Sequence, residues 1–328
     1  MRMSGSTHGS MSGSARPPRR PALAPALSRS ELDRDYLSRL GGVPALLEDP
    51  STRMVVLHEG RALGTHEGAL ALVDPSTLAV DPDAAVFLGR ARAASADLEQ
   101  GAAVLALVVS EEDAVRLGEE GSWLDLRRDG SLLTPRDAGL FTQALALANW
   151  HGSAAFSSAT GEATSVAQAG WVRVDPSTGR ESYPRTDPAV IVAVLDDDDR
   201  ILLGSNVEWD DRRFSLLAGF VEPGESLEAA VIREIFEEAG VVVDDPEYRG
   251  SQPWPFPASL MVGFEARVAS GTSTVPRPDG TELRELRWFS REELAADVAA
   301  GRVLLPGAAS IARAIVEDWF GGPIEEPR

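Results

Sequence analysis

One stretch constrains this chain more than any other: GFVEPGESLEAAVIREIFEEAGV, from Gly219 to Val241. Its first part is a tight loop with Gly and Pro, and the remainder has the spacing of a helix. Positions three and four apart share a helix face, so Glu234 lies beside both Glu237 and Glu238. Leu227, Val231 and Ile235 fall on a different stripe, suited to a core. Gly240 is the residue expected at a left-handed C-terminal cap. Crowded carboxylates repel by roughly 0.2–0.5 kcal/mol per pair in an isolated helix. A hard divalent cation removes that repulsion, because Mg²⁺ or Mn²⁺ prefers carboxylate, carbonyl and water oxygens. For three glutamates alone, a solvated acidic face is the competing explanation.

A second unusual stretch lies eleven residues further on: Ser251-Gln252-Pro253-Trp254-Pro255-Phe256-Pro257-Ala258-Ser259. Three prolines fix φ and predict an extended segment of low entropic cost. Trp254 and Phe256 then stand as rigid surfaces on which a planar base stacks for about 1–3 kcal/mol. A stiff loop whose aromatics plug a core, or a proline-rich ligand for another protein, explains the same residues.

The remaining chemistry is sparse. There is no cysteine among the 328 residues, which excludes disulfides and thiolate metal sites and fits a reducing cytoplasm. His8, His58, His66 and His151 are scattered, without the paired spacing of a zinc helix. A formal charge of −20 disfavours broad adhesion to nucleic acid or anionic membrane but allows a local basic pocket. No apolar run reaches the roughly 18 residues of a membrane span.

Along the chain, residues 1–29 hold five arginines and no acid among Ser, Gly, Pro and Ala, and predict a disordered tail. Arg16, Arg19 and Arg20 are its only candidates for touching RNA. Residues 30–149 predict a separate α/β domain, with strands at Met54–Leu57, Ala69–Val73, Ala85–Leu88 and Ala103–Val109. Thr134 and Pro135 open a helix that runs to Trp150. Arg127 is this domain's candidate for reaching a phosphate, against a surface ion pair as the alternative. Residues 150–185 read as irregular. Beyond them, Ala189–Leu195 is a buried strand turning at Asp196–Asp199 into Ile201–Leu203. Those four aspartates lack the ligand spacing of a calcium loop. Ser259–Val268 and Glu285–Phe289 read as strands, and Arg291–Ala300 and Ala308–Phe320 as helices.

The spacing of Gly219, Glu225, Arg233-Glu234, Glu237-Glu238 and Gly240, with apolar Ile235 and Val241, resembles the signature of the Nudix hydrolases. Ser251–Ser259 is similar to the SQPWPFPxS array that marks the family's NADH pyrophosphatase branch. Trp150-His151, Tyr183-Pro184-Arg185, Asp187-Pro188 and the acidic stretch Glu282–Phe289 extend the likeness to residues 32–320. The resemblance implies an α/β (α+β) chain: a Nudix α/β/α sandwich with a mixed sheet over 186–322, a smaller N-terminal α/β domain, and a short tail at 323–328.

It also implies a reaction, the Mg²⁺- or Mn²⁺-dependent hydrolysis of the pyrophosphate of NAD(H) to AMP and nicotinamide mononucleotide. Glu234, Glu238, the Ala218 carbonyl and Glu282 would hold metal, with Glu285 as the alternative to Glu282. Glu237 or Glu238 would be the general base, and Arg233 would pair with Glu225 to orient the loop. Gln252, Pro253, Trp254, Pro255, Phe256, Pro257, Ala258 and Ser259, with Tyr183, Arg127 and Ala312, would grip the substrate. A homodimer is expected. The chain departs from the branch in one respect: where relatives carry four zinc-binding cysteines, it has Ser157, Thr160, Asp175 and Thr178, so 150–185 is read as a degenerate ribbon without zinc. Removal of NAD caps from RNA by the same chemistry, a broader dinucleotide or ADP-ribose pyrophosphatase, and a non-catalytic nucleotide sensor are the alternatives.

Overall fold

The computed structural model describes residues 21–119, 121–278 and 280–327. Two sheets organise it, one in each half of the chain, with a small third sheet between them in sequence.

In the C-terminal half, strand Asp187–Leu195 is the centre of a six-stranded mixed sheet. It runs parallel to Ser259–Val268 and antiparallel to Ile201–Asn206 and Leu217–Phe220. Val243–Trp254 and Leu283–Phe289 complete the two edges. Successive side chains of a strand point to opposite faces, and here both faces are apolar, as a doubly covered sheet requires. Val190, Val192 and Val194 pack with Ala230, Val231 and Ile235 of helix Leu227–Ala239. Ile191, Ala193 and Leu195 pack on the other side with Leu294 and Val298 of Arg291–Ala299 and with Ile311, Ile315 and Val316 of Ile311–Phe320. The result is the expected α/β/α layering.

The N-terminal half has a seven-stranded mixed sheet in which Arg53–His58 lies parallel to Ala103–Val108. Helix Pro135–Ser153 covers one face, capped by Thr134, whose hydroxyl accepts from the Asp137 amide at 3.2 Å. Sequence periodicity missed the short strands Arg61–Gly64 and Ser122–Leu124 and the helix Glu111–Gly118. Residues 150–185, read as irregular, include a three-stranded antiparallel sheet of Ser165–Ala167, Val172–Val174 and Glu181–Ser182.

The expected disordered N-terminal tail needs correction. Arg16, Arg19 and Arg20 lie outside the described residues, but residues 21–29 are ordered between the two domains. Leu23 donates its amide to the Arg249 carbonyl at 2.6 Å, and Leu27 is buried in the N-terminal core. Arg29 reaches the carbonyls of Gly130 and Leu133 at 3.2 and 3.1 Å. At the other end Ile324 is buried beside helix Ile311–Phe320, its amide donating to Glu317 at 3.1 Å. Leu23, Leu27 and Ile324 add apolar contacts to segments whose composition otherwise reads as polar or flexible.

Candidate active site

The loop Phe220–Glu225 is folded back on the helix by its own side chains. Glu225 accepts from the Glu222 amide at 2.7 Å, and Ser226 caps the helix by accepting from the Ala229 amide at 3.2 Å. Arg233 then ties loop to helix. Its guanidinium reaches Glu225 at 2.5 Å, Glu234 and Glu237 at 2.9 Å each, and the Phe220 carbonyl at 3.0 Å. The expected Arg233–Glu225 pair is present, and Arg233 also holds Glu234 and Glu237. Hydrogen bonding by Glu225 above all raises the Arg233 pKa, and Arg233 in turn depresses that of Glu225. Gly219 has a steric reason to be glycine: a Cβ there would stand 2.0 Å from the Glu234 carboxyl carbon. At the far end Gly240 has φ 65° and donates to the Phe236 carbonyl at 2.8 Å, the left-handed cap its position predicts.

The glutamates divide by surroundings. Glu238 is 7 % exposed and lines a cavity of about 220 Å³. Ala218, Glu282, Trp254 and Ala312 line the same cavity, so five residues singled out in sequence, spread over almost a hundred positions, meet there. Glu234 sits against Gly219 of strand Leu217–Phe220. Burial raises its pKa, Arg233 opposes that rise, and the charges of Glu237 and Glu282 add to it. Glu237 faces outward in its ion pair with Arg233. Of the two candidates in the acidic stretch after residue 281, Glu282 lines the cavity, whereas Glu285 lies in strand opposite Ser205. Asn206, Trp209, Ser215 and Met261 also line it. Trp209 had no sequence signal, being an isolated aromatic in an acidic, turn-like run.

Among the described residues, no three acidic or histidine side chains converge as a ready-made cation cage. A hard cation does not need one. Mg²⁺ usually keeps several waters and uses one or two carboxylates plus substrate phosphates. Glu238, Glu282 and the Ala218 carbonyl around one cavity offer the oxygen donors such an ion takes. At the positions matched to zinc ligands the donor chemistry does not fit. Thr160 donates to Asp175 at 2.7 Å, and Asp175 also accepts from the amides of Ser177 and Thr178 at 3.0 and 3.2 Å. Ser157 accepts from the amides of Ala159 and Thr160 at 3.2 and 3.4 Å. Hydrogen bonds from Ser157, Ser177 and Thr160 hold the Asp175 carboxyl far below its usual range. Three hydroxyls and one carboxylate, already tied up in this local network, do not make a tetrahedral zinc site.

The proline–aromatic array is a hairpin, not a continuous extended rod. Ser251–Trp254 finish one strand, Pro255–Ala258 turn, and Ser259 begins the next, with Pro253 opposite Leu260 and Trp254 opposite Ser259. Asn149, from the long N-terminal helix, donates to the Pro255 and Pro257 carbonyls at 2.9 and 3.3 Å. Trp254 and Phe256 pack edge to face, 4.9 Å between centroids, with the Arg127 guanidinium 4.0 Å from the Phe256 ring centre. Arg127 therefore lies over the ring faces of the array.

Of the eleven expected substrate residues, Trp254 and Ala312 alone line the cavity that holds Glu238. Gln252 is 0 % exposed; its side chain accepts from the Leu27 amide at 3.3 Å and donates to Ala309 at 3.0 Å, so it fastens the array from behind. Tyr183 is exposed, bonded to Glu181, and does not line the cavity that holds Glu238.

Residues 185–306 match the NUDIX domain, and residues 51–150 match the NADH pyrophosphatase-like rudimentary NUDIX domain. A Mycobacterium bovis protein named NAD-capped RNA hydrolase NudC is 42 % identical over 311 residues, covering 90 % of this chain and 94 % of that protein. The chain belongs to the Nudix family, in its NudC branch. The Mycobacterium tuberculosis protein of the same name matches with the same identity and coverage. Human NAD-capped RNA hydrolase NUDT12 is 36 % identical over 200 residues, 57 % of this chain and 43 % of that protein. The Nudix match takes in strand Leu217–Phe220, the box helix, the aromatic hairpin and Glu282, the elements that meet at the cavity. No helix among the described residues is long and apolar enough to cross a membrane.

Proposed function

We propose that this chain hydrolyses the pyrophosphate of NAD, as the free dinucleotide and as the 5′ cap of RNA, using Mg²⁺ or Mn²⁺. The observation that carries the proposal is the meeting of Glu238, Glu282 and Ala218 with Trp254 and Ala312 around one cavity. The names of the mycobacterial and human relatives favour the capped RNA as a substrate beside the free dinucleotide.

Water attacks one phosphorus, the P–O bond to the bridging oxygen breaks, and that oxygen leaves on the second phosphate. A bound divalent cation would neutralise phosphate charge and so lower the barrier to an incoming nucleophile. Glu238, Glu282 and the Ala218 carbonyl would hold it, with Glu234 behind them. Glu238 is the better placed of the two base candidates to take a proton from the attacking water, since Glu237 is turned outward into its pair with Arg233. Arg233 and Glu225 orient the loop and touch no reacting atom. Trp254 presents an aromatic face to the nicotinamide or adenine, and the hairpin behind it is fixed before substrate arrives. The cut releases AMP and nicotinamide mononucleotide from NAD(H), or a 5′-monophosphate RNA and the same mononucleotide from a cap. We place the reaction in the cytoplasm and assign it to a homodimer.

The test is to incubate the protein and Glu238→Gln with NADH and with NAD-capped RNA, with either metal, and to resolve the products. Wild type should release nicotinamide mononucleotide from both substrates, and Glu238→Gln should lose at least about 10²-fold in kcat. No mononucleotide from either substrate would refute the proposal.

A further inference from the structure

Beyond the first cavity lies a second, of about 490 Å³, and the two share Trp209, Ser215, Trp254 and Ser310. The first, at about 220 Å³, is smaller than the roughly 300–1,000 Å³ of ordinary small-molecule sites. A substrate with its pyrophosphate beside Glu238 must therefore continue outward, and the shared wall at Trp254 and Ser310 opens into the second cavity.

Charge distinguishes this second space. The chain carries −20 overall, yet Arg127, Arg128 and Arg213 line the cavity against a single acid, Asp125. The Asp125 carboxylate accepts from the backbone amides of Arg127 and Arg128 at 2.9 and 3.2 Å, which already occupies one of its oxygens. Arg128 pairs with Asp129 at 2.8 Å. Arg127 lies over aromatic rings, and no carboxylate stands within ion-pair distance of it or of Arg213 among the described residues. Two of these arginines come from the N-terminal domain and the third from the C-terminal domain, so the cavity exists only because the halves pack together. Guanidinium forks beside two indoles, Trp209 and Trp254, match a chain of alternating phosphates and bases.

We infer that, with the pyrophosphate in the first cavity, the second receives the adenosine end of the cap and the first phosphodiester of the RNA attached to it. A capped RNA differs from free NAD by the phosphodiester on its adenosine, and that added charge is what the arginines would read. The inference rests on the pyrophosphate-cleaving reading of the first cavity.

Arg128→Glu and Arg213→Glu, singly and together, test it by kcat/KM on NADH and on a short NAD-capped RNA. The double variant should lose about tenfold or more on capped RNA and keep its NADH value within about twofold. Its rate on RNA should also fall less steeply with salt, by about 0.7 in log–log slope for each phosphate that is no longer neutralised. Arg213→Lys, which keeps the charge, should retain most of the RNA rate. Equal losses on both substrates would overturn the inference, assigning the cavity to the dinucleotide or to folding. Unchanged RNA turnover would overturn it as well. Wild type that turns over NADH while ignoring capped RNA would sink this inference alone. Wild type inactive on both would sink the reading of the first cavity and this one with it.

Discussion

At the residue scale, neighbouring identical side chains are separated by what surrounds them. Glu237 and Glu238 are adjacent in sequence, yet one is an outward partner of Arg233 and the other is buried against the cavity. Helical spacing puts Glu234 beside both, but it does not say which face the sheet covers. Asn149 shows the opposite limit. It is a polar helix residue without any motif around it, and its amide holds two carbonyls of the aromatic turn. Each such bond contributes a net ~0.5–1.5 kcal/mol. Asn149→Ala should therefore raise KM for NADH about three- to tenfold and leave kcat within about twofold, because the hairpin loses alignment while the carboxylates stay in place. A fall in kcat at constant KM, from steady-state rates, would remove Asn149 from this positioning role. No pattern in the sequence points to Asn149, since its partners are backbone atoms far along the chain, at Pro255 and Pro257.

At the scale of elements, the box helix is the most legible part of the chain. Its apolar stripe and its Gly240 stop follow from local rules and recur in the structure. The strand Asp187–Leu195 is equally plain as a continuous apolar run. The prolines of Ser251–Ser259 fix φ and so suggest an extended rod, whereas pairing with Ser259–Leu260 turns the array into a hairpin. The connector also holds more order than its Ser, Thr and Gly suggest, since its organising interactions are hydrogen bonds to one buried carboxylate. Asp175 leads to a pH prediction. Its folded-state pKa is depressed from an ordinary value of about 3.8 by hydroxyl and amide donors. A depressed carboxyl stabilises the fold fully above its unfolded pKa and loses that contribution as pH falls toward the folded value. Urea midpoints of wild type should accordingly fall between about pH 5 and pH 2, and Asp175→Asn should be less stable at about pH 7 with a smaller fall over that range. A metal chelator at neutral pH should leave the wild-type midpoint unchanged, and a chelator-induced drop would show that the connector relies on a metal after all.

At the scale of the whole molecule, the site depends on packing between halves that sequence treats as separate domains. Leu23 and Leu27, in a segment expected to be disordered, lie against both cores, and Gln252 anchors the hairpin to that segment. The box helix leaves a second surface uncovered: Phe220, Ile232 and Phe236 are 59 %, 41 % and 55 % exposed. Phe220 precedes the box loop and Ile232 and Phe236 are one helical turn apart, so they offer an apolar face suited to a second copy of the chain. Replacing Ile232 and Phe236 together by Glu should shift the protein to monomer mass in sedimentation, and an unchanged dimer would place the interface elsewhere. A wild type that sediments as a monomer would remove the dimer from the account.

In the proposed reaction, water enters at a phosphorus of the NAD pyrophosphate beside Glu238. Turnover of NADH in ¹⁸O-labelled water, with mass analysis of both products, tests this most directly. AMP and nicotinamide mononucleotide are the expected products, with one labelled oxygen in the phosphate of just one of them and none in its partner. Release of nicotinamide with intact ADP-ribose, or both mononucleotides without label, would contradict it.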